Sequence, residues 1–224
     1  MAKLFQVSTA SALNKGNYDY SISIEYFLKN GDTGLGTFNG LNGEAIFLDG
    51  KSYNGTANGY VKEMTIPQTG VSYGLVTKFN NEVTPLKLEP SDSINSLIEK
   101  LNPVFTRGQN YFYAVKITGV FSKVTIRSFF KQQKPYRPIS EVIKEQKEFT
   151  YENEEGTLIG FFTPSLFSNI NNPGWHFHYI SKDLKHGGHV LDAYGISLSV
   201  LSNCLDKWEI KLPTNKEFSS LKLD

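Results

Sequence analysis

All four histidines of this 224-residue chain lie between residues 176 and 189, within the stretch PGWHFHYISKDLKHGGHVLD. His176 and His178 stand two apart in an aromatic run that reads as a β-strand. Alternate side chains of a strand face the same side, so the two imidazoles share one face and Phe177 and Tyr179 turn to the other. His189 opens the next apolar run. A hairpin closed by SKDLKHGG brings it beside the first two, and Gly187 and Gly188 supply the backbone freedom for that return. Three neutral imidazoles at one point suit zinc or another borderline divalent ion. Three histidines with an open position is the arrangement of a catalytic metal, whereas a closed structural site has four ligands and normally uses cysteines. The single cysteine, Cys204, lies 15 positions past His189 and reads as a buried spectator thiol. His186 is the candidate fourth ligand, but it sits in the loop, where an exposed histidine is the ordinary expectation. Spacing alone leaves a catalytic metal, a structural metal and no metal all open.

Three other residues could serve such a centre. Glu44 lies in the glycine-dense turn NGLNGEA, where the chain can approach a ligand closely, although an exposed strand-end carboxylate fits the same spacing. Arg127 sits mid-strand in KVTIRSFF among apolar neighbours. A guanidinium there must find an anion, either a structural carboxylate or one belonging to a substrate. Thr37, in GTFNG, is a hydroxyl near Glu44 and by itself says nothing.

The elements that must position these groups are mainly strands. Aromatic and β-branched residues dominate, in short alternating runs separated by Gly, Asn, Asp and Pro. Glu44 to Leu48 and Lys51 to Tyr53 read as strands joined at Asp49-Gly50, a strong hairpin dipeptide. Tyr73 to Phe79 is another strand. YFYAVKITGVF and KVTIRSFF read as a strand pair, GTLIGFFTP and GWHFHYI as strands, and HVLDAYGISLSVL as the start of one more. Ser8 to Lys15 predicts a short helix ending at Gly16. Ser91 to Leu101 is the clearest helix, with Ser91 or Asp92 as its cap and Ile94, Leu97, Ile98 and Leu101 at helical spacing. Pro103 limits its extension, and Ser140 to Phe149 predicts a second short helix. Lys131 to Pro138 is the expected joint between an N-terminal α/β half (1–130) and a C-terminal β half (131–224).

The composition is ordinary for a soluble globular protein, 39% hydrophobic and 20% charged. A formal charge of +1 gives no electrostatic case for a nucleic-acid or anionic-membrane partner. One cysteine cannot form an internal disulfide. No stretch approaches the ~20 apolar residues of a membrane span, and MAKLFQVSTASALNKG lacks the apolar core of a secretory signal. The expectation is a soluble, cytoplasmic protein.

Taken together, GTFNGLNGE, VTIRSFFKQQKPYRP, GTLIGFFTP and PGWHFHYISKDLKHGGHVLD resemble the α-acetolactate decarboxylase family, in order and over nearly the whole chain. H-x-H alone is a weak motif; the ordered set of four is specific. The resemblance implies a carboxy-lyase that turns 2-acetolactate into acetoin and CO2, with no organic cofactor. It implies one Zn²⁺ per chain held by His176, His178 and His189, Arg127 near the substrate carboxylate, Glu44 in acid/base work, and Thr37 at the substrate. It further implies an enediolate stabilised by the metal and protonated stereospecifically. The implied fold is α+β and mainly β: a mixed sheet with a few helices, joined to a β-barrel-like half that carries the metal site, usually as a homodimer. Some family members place a further glutamate near the C-terminus in the active site. Glu209 and Glu217 are candidates here, although the tail pattern does not match clearly. Two other classes compete. A cupin-type oxygenase also uses H-x-H, but expects a glutamate a few residues after the second histidine, where this chain reads Tyr-Ile-Ser-Lys-Asp. A β-rich ligand-binding module would use its aromatics for carbohydrate and its histidines for adventitious metal.

Overall fold

The computed structural model describes residues 2–65, 69–79, 84–168 and 170–223. Strands dominate it, as expected. In chain order the first sheet receives β1 (Lys3–Val7), β2 (Ile22–Ser23), β3 (Thr33–Phe38), β4 (Glu44–Leu48), β5 (Lys51–Gly55), β6 (Val61–Glu63) and β7 (Gly70–Thr77). The helices α1 (Ala10–Asn14) and α2 (Ile24–Leu28) lie between its early strands. There follow β8 (Leu86–Leu88), α3 (Ile94–Lys100), β9 (Phe112–Ser128), α4 (Ile139–Val142), β10 (Lys147–Thr163), β11 (Gly174–Ser181) and β12 (Gly187–Leu205). β13 (Lys207–Lys211) and α5 (Lys216–Ser220) complete the described elements.

The first sheet is mixed, in the order β13-β1-β7-β3-β4-β5-β6, with β2 against β7 and only β1 and β13 parallel. The second runs β11-β10-β9-β12-β8, and β11 also pairs with β12. That extra pairing closes β9 to β12 into a small ring, which removes their free edges. At its seam His178 stands opposite His189. The two sheets share one core: Leu35, Ile46 and Leu75 of the first pack with Ala114, Ile159 and Phe161 of the second.

Local chemistry explains the elements nearest the site. The β4–β5 hairpin turns through Asp49 and Gly50, both at positive φ (50° and 78°), the geometry that an Asp-Gly pair accommodates. α1 starts at Thr9, whose side chain accepts from Ala12 N–H, and is followed by Gly16 at φ 91°. α3 is capped by Ser93, which accepts from Ser96 N–H, rather than by Ser91 or Asp92.

Two further expectations need correction. YFYAVKITGVF and KVTIRSFF are not two paired strands but one, the 17-residue β9. No residue pair between them favours a turn, and pairing with β10 and β12 along both edges, broken only locally by bulges, satisfies most of the backbone. The helix over Ser140 to Phe149 shrinks to α4 and a 3-10 turn, Ile143–Glu145. Its last residues join β10, where Phe149 pairs opposite Ile126. In sheet membership, β8 and β9 belong to the second sheet and β13 to the first. Among the described residues no helix is long and apolar enough to cross a membrane.

Candidate active site

His176 and His178 project from β11 to one side and meet His189 across the ring's seam. His176 Nε2 lies 3.2 Å from His178 Nε2 and 3.0 Å from His189 Nδ1. One nitrogen from each ring falls within 4.8 Å of the other two, a group that could hold a metal ion. His178 is fully buried, and its Nδ1 sits 2.9 Å from the Ala45 carbonyl. That contact makes Nδ1 the protonated nitrogen and turns the Nε2 lone pair toward the other rings, the usual way a ligating imidazole is oriented. Strand register extends the row, since His189 stands opposite Arg127 on β9.

The first sheet supplies the acid. Glu44 opens β4, and its Oε1 accepts from Arg127 Nη1 at 2.8 Å while Oε2 lies 3.4 Å from His178 Nε2. One carboxyl group thus stands between the guanidinium and the His178 imidazole. Its turn is held from two sides: Gly43 N–H donates to Phe129 O, and Thr37 Oγ1 donates to Gly43 O at 2.9 Å. Gly43 has φ 72°, and a Cβ there would overlap the Asn54 amide. Any other residue there would be strained in its backbone and would have to displace Asn54. The Arg127 guanidinium also lies over the Phe129 ring, 4.5 Å from its centre.

Burial governs the charges. It pushes the Glu44 carboxyl up to about 7, partly opposed by Arg127. It pushes His176 down to about 3, with Arg127 adding to the effect. His178 falls well below the usual histidine range through burial and the neighbouring His176, and His189 does so through burial, Arg127 and the other two histidines. The three imidazoles are therefore neutral near pH 7, the state that binds a metal. Three neutral nitrogen donors beside one carboxyl group fit a borderline divalent ion of the zinc type.

Thr37, Glu44, Arg127, His176 and His189 all line one cavity of about 330 Å³, at the small end of the range for small-ligand pockets, ~300–1,000 Å³. His186 does not join them. It pairs with Glu154 at 2.9 Å and stacks on Tyr151. Glu209 pairs with Lys3 and Glu217 with Lys134, and neither lines the cavity. Sequence reasoning missed the apolar wall, to which Trp175 and Leu191 contribute. It also missed a buried network beside the cavity. Gln6 and Asn171 exchange amide hydrogen bonds of 2.8 and 3.0 Å, and Tyr73 OH donates to Asn171 Oδ1 at 3.1 Å. A polar Gln6 inside the apolar run KLFQV was the one available hint.

A two-sheet β protein with converging imidazoles, a guanidinium and a carboxyl group in a small cavity has the parts of an enzyme site for a small anionic substrate. The model of the alpha-acetolactate decarboxylase family matches residues 4–224. Curated alpha-acetolactate decarboxylases are 35% identical in Brevibacillus brevis, over 96% of this chain and 75% of the relative, and 36% identical in Methanosarcina mazei, over 98% and 75%. The crystal structure of acetolactate decarboxylase from Bacillus subtilis subspecies spizizenii superposes with a TM-score of 0.93 at 32% identity, covering 99% of this chain and 94% of that one. The chain belongs to the alpha-acetolactate decarboxylase family.

Proposed function

We propose that this cavity decarboxylates 2-acetolactate (2-hydroxy-2-methyl-3-oxobutanoate) to acetoin and CO2, with a zinc ion held by His176, His178 and His189. The observation that carries the reading is the meeting of three neutral imidazoles, Arg127 and Glu44 around one cavity. These groups answer the substrate's parts: adjacent ketone and hydroxyl oxygens, a carboxylate, and a carbon that must gain a proton. When bound, the ion supplies Lewis acidity, which makes the ketone beside the breaking bond an electron sink.

Arg127 gives one N–H to Glu44, and a guanidinium has five. Its remaining donors take the substrate carboxylate and hold the breaking C–C bond along the carbonyl π system. As CO2 departs, the bond's electron pair passes into the carbonyl and leaves an enediolate carbon. Burial raises its carboxyl above the usual carboxylate range, and Glu44 is the group placed to donate a proton to that carbon and regain one from solvent. The hydrogen bonds around Gly43 and to Arg127 keep Glu44 on one side of the cavity, so protonation from one face sets the chirality of acetoin. Thr37 serves through its hydrogen bond to the Gly43 carbonyl and as part of the substrate's surroundings. The reading also takes the enzyme as a cytoplasmic homodimer, on the strength of the family likeness; light scattering in solution checks the dimer.

Acetoin and CO2 release from racemic acetolactate, with bound metal counted and a chelator-treated control, tests the proposal. Absence of acetoin from zinc-loaded protein overturns it.

A further inference from the structure

The apolar stripe of α3 serves two places. Leu97 and Leu101 are fully buried in the core of the second sheet, whereas Ile94 and Ile98 are only partly buried and line the cavity. Residues four apart on a helix lie above one another, so the two isoleucines form one continuous surface. With Trp175 and Leu191 they make an apolar wall to a cavity whose other lining includes Arg127 and Glu44. Leu191 is the extra residue of a bulge in β12, between Val190 and Asp192 in the pairing with β9, and bulges re-aim side chains in this way.

A helix of seven residues is too short to hold itself in place. β12 holds it. Ile94 N–H donates to Asp192 Oδ1 at 2.9 Å, Ser91 N–H donates to Gly195 O at 2.9 Å, and Gly195 N–H donates to Ser91 Oγ at 3.0 Å. Asp192 follows His189 on the same strand by three positions. The strand that carries one imidazole therefore also fixes the distance of the wall from it.

We propose that Ile94 and Ile98 are specificity-determining residues that set the length of alkyl substituent the cavity accepts on a 2-hydroxy-3-oxo acid. Asp192 is the positioning residue that holds them. The inference rests on the function proposed for this cavity, and it assigns the polar lining to the substrate's oxygens and the α3 wall to its carbon chain. In so small a cavity, a methylene accepted or refused at the wall changes kcat/KM by about tenfold or more.

The test compares decarboxylation of 2-methyl, 2-ethyl and 2-propyl 2-hydroxy-3-oxobutanoates. Ile98→Ala should raise the ratio of kcat/KM for propyl over methyl by about tenfold or more, and Ile98→Phe should lower it comparably. The change should lie mainly in KM, with bound metal unchanged. Ile98→Val, the mildest variant, should move the ratio in the same direction as Ala by about fourfold. Asp192→Ala should flatten the preference, and Asp192→Asn, which keeps an acceptor for Ile94 N–H, should restore it; a merely structural loss would lower all three substrates alike. Calorimetric binding of the unreactive 2-alkyl-2-hydroxy acids, which lack the ketone, should follow the same order without turnover. A wild-type protein that makes no acetoin sinks the proposed reaction, and the calorimetric order then decides on the wall alone. Ratios within about twofold of wild type in all Ile98 variants, at full metal content, overturn the inference.

Discussion

Replacing Glu44 by glutamine tests the site most sharply, because the amide keeps the shape and loses the proton chemistry. Glu44 is buried, with its carboxyl raised from 4.5 to about 7, chiefly by loss of solvent. A group whose folded value exceeds its unfolded one favours folding in its protonated form. Its contribution is complete below the unfolded value of about 4.5 and is lost as the pH rises through about 7. At about 1.4 kcal/mol per pH unit, the full difference is about 3 kcal/mol. Most of it, about 2–3 kcal/mol, falls between pH 5 and 8. Glu44→Gln has no such loss. In chelator-treated protein, therefore, the wild type should weaken relative to Glu44→Gln by that amount from pH 5 to pH 8, read from urea unfolding. In zinc-loaded protein the variant should keep its metal and much of its substrate affinity, and lose turnover by ~10²–10⁴-fold. The residual acetoin should show eroded enantiomeric excess, as solvent protonates either face. A stability difference that does not change with pH refutes the raised carboxyl. Turnover within a few-fold of wild type, or a loss explained wholly by missing zinc, refutes the acid/base role.

The remaining expectations concern the groups around it. His176→Ala and His189→Ala should each abolish turnover and weaken metal binding by more than about 100-fold, beyond the ~10–100-fold typical of residues that only support a ligand; stoichiometric zinc in either variant after dialysis refutes the ligand set. His186→Ala should keep metal and turnover and cost at most about 1 kcal/mol, since its pair with Glu154 is partly exposed. Arg127→Lys should retain metal but lose about 10–100-fold in kcat/KM, because one ammonium cannot both hold Glu44 and grip a carboxylate with two prongs; near-wild-type kinetics would leave Arg127 as a structural partner of Glu44. Gly55→Ala should lower stability by about 1–3 kcal/mol and reduce turnover. Gly55 pairs opposite Glu44, and an added Cβ would overlap the Gly187 carbonyl where the two sheets meet. An unchanged urea midpoint would refute that contact.

What the sequence determined by itself was local. A strand's two-residue period put His176 and His178 on one face, and two glycines before His189 marked the return. The Asp49-Gly50 hairpin and the apolar spacing of α3 were legible for the same reason, since each depends on neighbours within a few positions. The chemical assignment of Arg127 and Glu44 came from the resemblance, because spacing left each with an ordinary structural reading. The tertiary structure decided what those residues meet. Glu44 and Arg127 lie 83 positions apart on different sheets, and only the packing of one sheet on the other brings them to 2.8 Å. The hairpin that set His178 opposite His189 was legible, but the pairing of β12 with β9, which places Arg127 opposite His189 and closes the ring, was not. The run from Phe112 to Ser128 became one strand because two long neighbours satisfied its backbone on both edges. α3's single stripe was divided between a core and a cavity, and His186 went to Glu154 instead of the other three histidines. Periodicity says which side of an element is apolar or polar. What stands across from that side depends on contacts distant in sequence, and these are set by sheet closure and packing of the shared core.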